Sequence, residues 1–393
     1  MIPSATFGHW WSGRPRLSQS PRECEANVPR TWFVATFYEN VVEPILKEHF
    51  PDLSYTACRI GLGSEVLGYD TEISADHDYG PCLQLILAEE RFPAAAVQIM
   101  DVLDSVLPAT FEGWAVHYPT NVRPPRDSEE RMLGSDHGVE VYTIAAWCDR
   151  FLGRVFPTEL TARDWLSYSE QTLLTVTAGA VFRDDAGELS ALRARLAYFP
   201  RDIWLYKLAA QWGRIAEKRA YVGRAGDVGD ELGSRVIATR MVGNIMRLAM
   251  LIERRYAPYP KWFGTAFSRV ACASDLAPLL EQVLAARIWR ERESALLEAC
   301  RFVAELQISR GIPGAIAPVM GSLKDRPYRF VDSVKIFDAI RAAIKDEDLR
   351  LLPEFGGADQ FLNSNFVLAV PTCASAATGA LLDTTSRTPA GWR

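Results

Sequence analysis

Between residues 31 and 49 the apolar positions Phe33, Phe37, Val41 and Ile45 recur every four residues, which predicts a helix that Pro51 closes. Two short apolar runs follow, residues 54–62 and 82–88 (CLQLILA), and read as strands. Residues 93–107 read as a helix, residues 114–118 as a strand, and residues 138–144 (GVEVYTI) alternate as a strand does. Strands and helices therefore interleave up to about residue 150. Beyond that point the period changes to 3.6 residues, over 162–178, 185–198, 202–219, 231–256, 276–306 and 331–344. In the stretch 231–256, Leu232, Val236, Ile237, Met241, Ile245, Leu248 and Ile252 form a wide apolar stripe suited to a central bundle helix. The pattern predicts an α+β domain over 30–155, a mixed sheet flanked by helices, followed by an all-α helical-bundle domain over 156–370. Residues 1–29, rich in Gly, Pro, Ser and Arg, read as an irregular arm, and residues 371–393 as a flexible tail.

Composition narrows the class of partner. With 48% hydrophobic and 23% charged residues the chain has the balance of a folded globular protein, and 393 residues suffice for two cores. A formal charge of -6 disfavours a surface built to grip nucleic acid, because counterion release needs a basic face, so a small-molecule substrate is the expectation. Cys24, Cys58, Cys82, Cys148, Cys272, Cys300 and Cys373 are scattered without CxxC or zinc spacing and read as reduced thiols. No apolar run reaches the length of a membrane span, and the N-terminus lacks a signal-peptide pattern, so no membrane partner and a cytoplasmic location are expected.

Polar chemistry concentrates in residues 61–81, GLGSEVLGYDTEISADHDYGP. Asp76 and Asp78, two apart on an extended backbone, project to one face, whereas His77 points away. Paired carboxylates repel unless a cation lies between them, and hard oxygen donors suit Mg²⁺. Ahead of them Gly63 lets the backbone approach a ligand closely, and the Ser64 hydroxyl with adjacent amides suits phosphate oxygens. A phosphate turn beside a metal clamp points to phosphoryl or nucleotidyl transfer, with two Mg²⁺ ions and a nucleoside triphosphate as co-substrate.

The order Leu62-Gly63-Ser64, 11 intervening residues, then Asp76-His77-Asp78 resembles the DNA polymerase β-like nucleotidyltransferase superfamily. The resemblance implies a third carboxylate between hydrophobic residues on a later strand, matched by Val139-Glu140-Val141. It gives Glu140 the role of third metal ligand or general base for the acceptor hydroxyl. Further stretches, AGAVFRDDAGEL, VGRAGDVGDELGS, YAPYPKWFGTAF and ADQF, resemble an uncharacterised-domain branch of that superfamily over roughly residues 35–370. In architecture the chain is similar to aminoglycoside nucleotidyltransferases, which implies a helical domain that closes the cleft and helps to hold the substrate. Many relatives carry an Arg shortly after the Gly-Ser turn; here Glu65, Asp70 and Glu72 stand instead, and Gly80-Pro81 interrupts the strand after Asp78. Arg224, Arg240 and Lys261 are the candidates to grip the triphosphate from the helical half.

Other readings stay open. Glu140 also fits a charged residue on the solvent side of an edge strand, and His137 a turn residue. Gly223, Gly226 and Gly229 do not form GxGxxG and follow a helix, so they read as a loop joining helices, with a helix starting at Asp230. Arg224 and Lys261 also fit surface ion pairs. The functional expectation is a Mg²⁺-dependent transfer of a nucleoside monophosphate to a small-molecule hydroxyl or phosphate, with release of pyrophosphate. The alternative is a non-catalytic nucleotide-binding regulatory or interaction protein on an inherited fold.

Overall fold

The computed structural model describes residues 31–61, 63–69, 80–117, 132–134, 137–154, 159–323 and 326–383. Asp76, Asp78, Leu62, the arm at 1–29 and residues 384–393 lie outside the described residues. The chain forms two compact units, Met1–Phe156 with Thr175–Leu196, and Pro157–Leu174 with Ala197–Arg393. They are not two consecutive blocks: residues 175–196, which the 3.6-residue pattern puts with the helices, belong to the first unit.

In the first unit α1 (Thr31–Phe37) continues through a π-helical turn (Tyr38–Val42) into α2 (Glu43–His49). Then come β1 (Tyr55–Arg59), β2 (Leu83–Leu87), α3 (Phe92–Val106), the two-residue strands β3 (Thr110–Phe111) and β4 (Trp114–Ala115), β5 (Met132–Gly134), β6 (Val139–Thr143) and α4 (Ile144–Leu152). The strand expected over 114–118 is thus a short hairpin arm paired with β3, followed by an isolated bridge between His117 and His137. After α5 (Ala162–Ser167) and α6 (Glu170–Thr177), β7 (Ala180–Asp184) and α7 (Glu188–Arg195) complete the unit.

The main sheet has the order β5-β6-β2-β1-β7 and is mixed: β2 and β6 are parallel, the other neighbours antiparallel. Alternation decides its faces. Tyr55, Ala57, Leu83, Leu85, Leu87, Val139 and Val141 join one core with Phe33, Phe37, Ala96, Ile99 and Leu103 of the helices. The opposite face carries the more polar set Thr56, Cys58, Gln84, Glu140 and Tyr142. At the end of β6, Thr143 accepts a hydrogen bond from the Ala146 amide at 3.2 Å and starts α4, which Gly153 ends at φ +71°.

The second unit holds α5, most of α6, then α8 (Arg201–Lys218), α9 (Tyr221–Asp227), α10 (Glu231–Ile252), α11 (Pro260–Ser268), α12 (Ala273–Ala285), α13 (Trp289–Ser309), the hairpin β8 (Met320–Ser322) and β9 (Arg329–Val331), α14 (Ser333–Ala342), α15 (Glu347–Leu351), α16 (Ala358–Phe361), α17 (Asn365–Ala369) and α18 (Pro371–Asp383). The expected helix over 276–306 is two helices, and the expected all-α domain carries a β-hairpin. The glycines of VGRAGDVG lie in and after α9 rather than in a loop, and Asp230 caps α10 by accepting from the Gly233 amide at 2.7 Å. On α10 the stripe is buried at Met241, Ile245, Leu248 and Ile252, but Leu232 and Val236 are exposed. Periodicity sets which side a residue faces, not whether anything covers it. The expected tail is α18 as far as Asp383. Among the described residues no helix is long and apolar enough to cross a membrane.

Candidate active site

β1 runs antiparallel to β2 and β2 parallel to β6, so the exit of β1 and the entries of β2 and β6 share one end of the sheet. The Gly63-Ser64 turn leaves β1 there, and Glu140, second residue of β6, stands at the same end. Cys58, Gln84 and Glu140 are register partners in one row across three strands, so their side chains share a face.

Gln84 fixes the end of β1. Its Nε2 donates to the Ile60 carbonyl at 2.8 Å, and its Oε1 accepts from the Ile60 amide at 3.2 Å and from the Cys58 thiol at 3.4 Å. Burial pushes the Cys58 thiol well above its ordinary pKa, which keeps it a donor. Past Ile60, Gly61 has φ +117°, and a Cβ there would come within 2.8 Å of the Phe151 ring on α4.

The turn itself rests on a buried ion pair. Arg59 and Glu65, 8% and 4% exposed, meet through Nη2 and Oε1. Gly63, at φ +138°, sits directly over the carboxylate: a Cβ would lie 2.5 Å from Glu65 Oε2. Glycine is therefore required twice, for its dihedral and for the space. The Tyr69 amide donates to the Ser64 carbonyl at 2.9 Å, and the Gly179 amide, just before β7, to the Val66 carbonyl at 3.1 Å. Glu65, an apparent departure in the sequence, thus holds the turn from beneath.

Glu140 is half-buried and accepts from the Tyr142 hydroxyl at 2.9 Å through Oε2. Burial, and after it the Glu140 charge, pushes the Tyr142 pKa up, so the phenol remains the donor. Oε1 takes no hydrogen bond among the described residues, which leaves a hard oxygen donor suited to Mg²⁺. No group of three His, Cys, Asp or Glu side chains suited to a metal occurs among the described residues, and Asp76 and Asp78 are outside them. His137 is buried; its Nδ1 accepts from the Val139 amide at 3.1 Å and its Nε2 lies 3.5 Å from Asp104.

Arg224 lies on α9, Arg240 is exposed on α10, and Lys261 lies in the first turn of α11 with its ammonium 4.9 Å from the Trp262 ring centroid. All three belong to the second unit, and the cavity that Arg224 lines includes neither of the others. Arg59 and Gln84 were not legible as site residues. Their only signal is polarity inside the runs YTACRIG and CLQLILA, which otherwise read as buried strands.

A family model described as a domain of unknown function (DUF4037) matches residues 165–263, from α5 into α11. No curated protein matches the sequence. Among solved structures, a nucleotidyltransferase-like protein from Exiguobacterium sibiricum is similar at 13% identity over 70% of this chain and 75% of that one, with a TM-score of 0.32. A likeness that loose assigns no residue.

Proposed function

We propose that this protein is a Mg²⁺-dependent nucleotidyltransferase that moves a nucleoside monophosphate from a nucleoside triphosphate to a small-molecule hydroxyl or phosphate, releasing pyrophosphate. The observation that carries the reading is the glycine turn pinned by the buried Arg59–Glu65 pair at the sheet end where Glu140 also stands. In the sequence Asp76 and Asp78 fall between that turn and the start of β2, so the chain joins the phosphate turn to the acidic pair and the acidic pair to the strand beside Glu140.

In this reading Ser64 and the turn amides orient phosphate oxygens, and the fixed β1 exit keeps them in place without reorganisation. Asp76, Asp78 and Glu140 would hold the Mg²⁺, which supplies charge neutralisation for the phosphates and acidifies the acceptor hydroxyl. Glu140, whose Oε2 is oriented by Tyr142, is placed to take the acceptor proton. Arg240 and Lys261 remain candidates for the triphosphate charge. Arg224 lines a hollow of the second unit that neither of them lines.

The test is pyrophosphate release from each of the four common nucleoside triphosphates with Mg²⁺ and a library of small acceptors. Wild type is run beside Asp76→Ala/Asp78→Ala and Glu140→Gln. Expected is metal-dependent release that the double variant abolishes and Glu140→Gln reduces by roughly 10²-fold or more. Tight nucleotide binding without turnover on any acceptor favours the regulatory alternative, and absence of metal-dependent binding overturns the proposal.

A further inference from the structure

On the second unit α9, the first turns of α10 and the segment leading into β9 line an open hollow of about 480 Å³. Its wall combines two chemistries. Tyr221, Val228 and Ile237 supply carbon surface, and Tyr221 and Val228 are 47% and 80% exposed. Arg224 and Arg326 supply two exposed guanidiniums. Arg224 lies 5.6 Å from the Tyr221 ring centroid, and neither arginine forms an ion pair among the described residues. Other arginines of this unit are held by carboxylates, as Arg301 is by Glu298 and Glu305, whereas Arg240 and Arg290 are exposed without an ion pair among the described residues.

The back of the hollow is closely packed. Tyr328 is buried, packs edge-on against Trp289 with ring centroids 6.0 Å apart, and donates its hydroxyl to Asp227 at 3.1 Å. Gly223 and Gly226 let α9 lie flat on this wall. A Cβ at Gly223 would come within 2.6 Å of Tyr328, and one at Gly226 would overlap the Trp289 side chain. Packing thus accounts for the glycines of VGRAGDVG, and the Tyr328 hydroxyl occupies the nearby carboxylate. Among the described residues neither guanidinium is tied to a carboxylate, and the carbon surface of Tyr221 and Val228 beside them is exposed.

We propose that this cavity binds a small planar heterocycle carrying a phosphate, a mononucleotide in chemical class. The ring lies against Tyr221, Val228 and Ile237, and the phosphate accepts from Arg224 and Arg326, whose planar forks suit it. An apolar ligand would leave both cations unused, and inorganic phosphate alone would leave the carbon wall wet. The net charge of -6 disfavours a polynucleotide. The site lies within one unit and needs no metal, so it stands independently of the transferase reading.

Isothermal titration of the full chain with AMP in excess EDTA tests it. Expected is saturable binding with Kd below about 1 mM, with adenosine and inorganic phosphate each at least tenfold weaker. Arg224→Gln/Arg326→Gln weakens AMP at least tenfold. Val228→Trp, which fills the cavity and keeps both charges, does the same, and Asp76→Ala/Asp78→Ala binds as wild type. Circular dichroism melts confirm folding, and with two chemically different variants at exposed positions the outcome does not hang on one of them. No saturation, binding indifferent to both cavity variants, or binding lost in the aspartate variant overturns the proposal. So does tenfold tighter binding of a 5′-phosphorylated tetra-adenylate, which would assign the cavity to a strand end.

Discussion

At the scale of single residues, Glu65 shows how one side chain can be misjudged from its type. By charge alone it sits badly in a turn meant for phosphate. In the structure it is buried against Arg59 directly beneath Gly63, so its charge is neutralised and its bulk shapes the turn. Removing the charge should be costly, because it leaves a buried guanidinium without this carboxylate. Glu65→Gln is expected to destabilise the first unit by about 3 kcal/mol, read as a lower urea midpoint. Glu65→Met/Arg59→Met, which removes both charges, should recover much of the loss. A Glu65→Gln midpoint equal to wild type would show the pair to be incidental. Gly63 and Ser64 can be proposed from spacing, which is a sequence property, and Glu140 from the resemblance that Val139-Glu140-Val141 carries. Of the side chains that hold the turn, Gln84 acts across strands and Arg59 meets a carboxylate six residues on, and no local pattern records either.

Elements reveal a second kind of gap. β7 escapes a periodicity reading because AVFRD is short and set between helical stretches; pairing with β1 makes it a strand. Its last residue, Asp184, and the following Asp185 tie it down. Asp184 accepts from the Thr56 hydroxyl at 2.8 Å and the Ser190 amide at 2.7 Å, while Asp185 accepts from Arg183 Nε at 2.9 Å and the Tyr55 amide at 3.0 Å. Helix α18 escapes for the opposite reason. Its buried positions are the small Ala374, Thr378 and Gly379, which make no apolar stripe, yet a Cβ at Gly379 would come within 2.5 Å of Arg163 on α5. A pH test belongs to the β1–β7 junction. Arg183, foremost, holds the Asp185 carboxyl below its ordinary range. A depressed folded pKa contributes stability above the unfolded value, near 3.9, and loses it as pH falls through the folded value. The pair is partly exposed, so the effect is small, under about 1 kcal/mol. Asp185→Asn should be the less stable protein at pH 6 and converge on wild type below about pH 4. A gap that stays constant across that range would put the contribution in packing rather than charge.

For the molecule as a whole, sequence order and spatial order diverge. The alternation of strands and helices and the later helical period gave the two kinds of architecture, but not the return of residues 175–196 to the sheet unit. Nor does it show what centres the helical unit. There Glu170 and Lys207, both with fully buried side chains, meet at 3.2 Å; Lys207 also lies 3.7 Å from Asp359, and Arg247 3.6 Å from Glu170. Two acids and two bases balance, and backbone amides complete the set: Asp359 accepts from the Glu170 amide at 2.9 Å, and Glu170 from the Ala257 amide at 2.8 Å. Burial, more than any neighbouring charge, holds the Asp359 carboxyl above its ordinary pKa, so the network depends on Lys207 to keep that acid ionised. Lys207 is enclosed, with its ammonium 4.5 Å from the Phe199 ring centroid and 2.8 Å from where a Cβ on Gly357 would stand. Lys207→Met leaves two buried carboxylates facing each other without their nearer cation. It should cost about 3–5 kcal/mol in urea unfolding at neutral pH. The deficit should shrink as pH falls towards 4, because protonation of either acid removes the unpaired charge. Lys207→Arg is not expected to rescue fully, because the bulkier guanidinium must fit where the ammonium already lies close to Phe199 and Gly357. If Lys207→Met proved neutral at pH 7, a buried carboxylate would have to be protonated in the wild type, and the network would be a hydrogen-bonded cluster instead of a balanced set of charges.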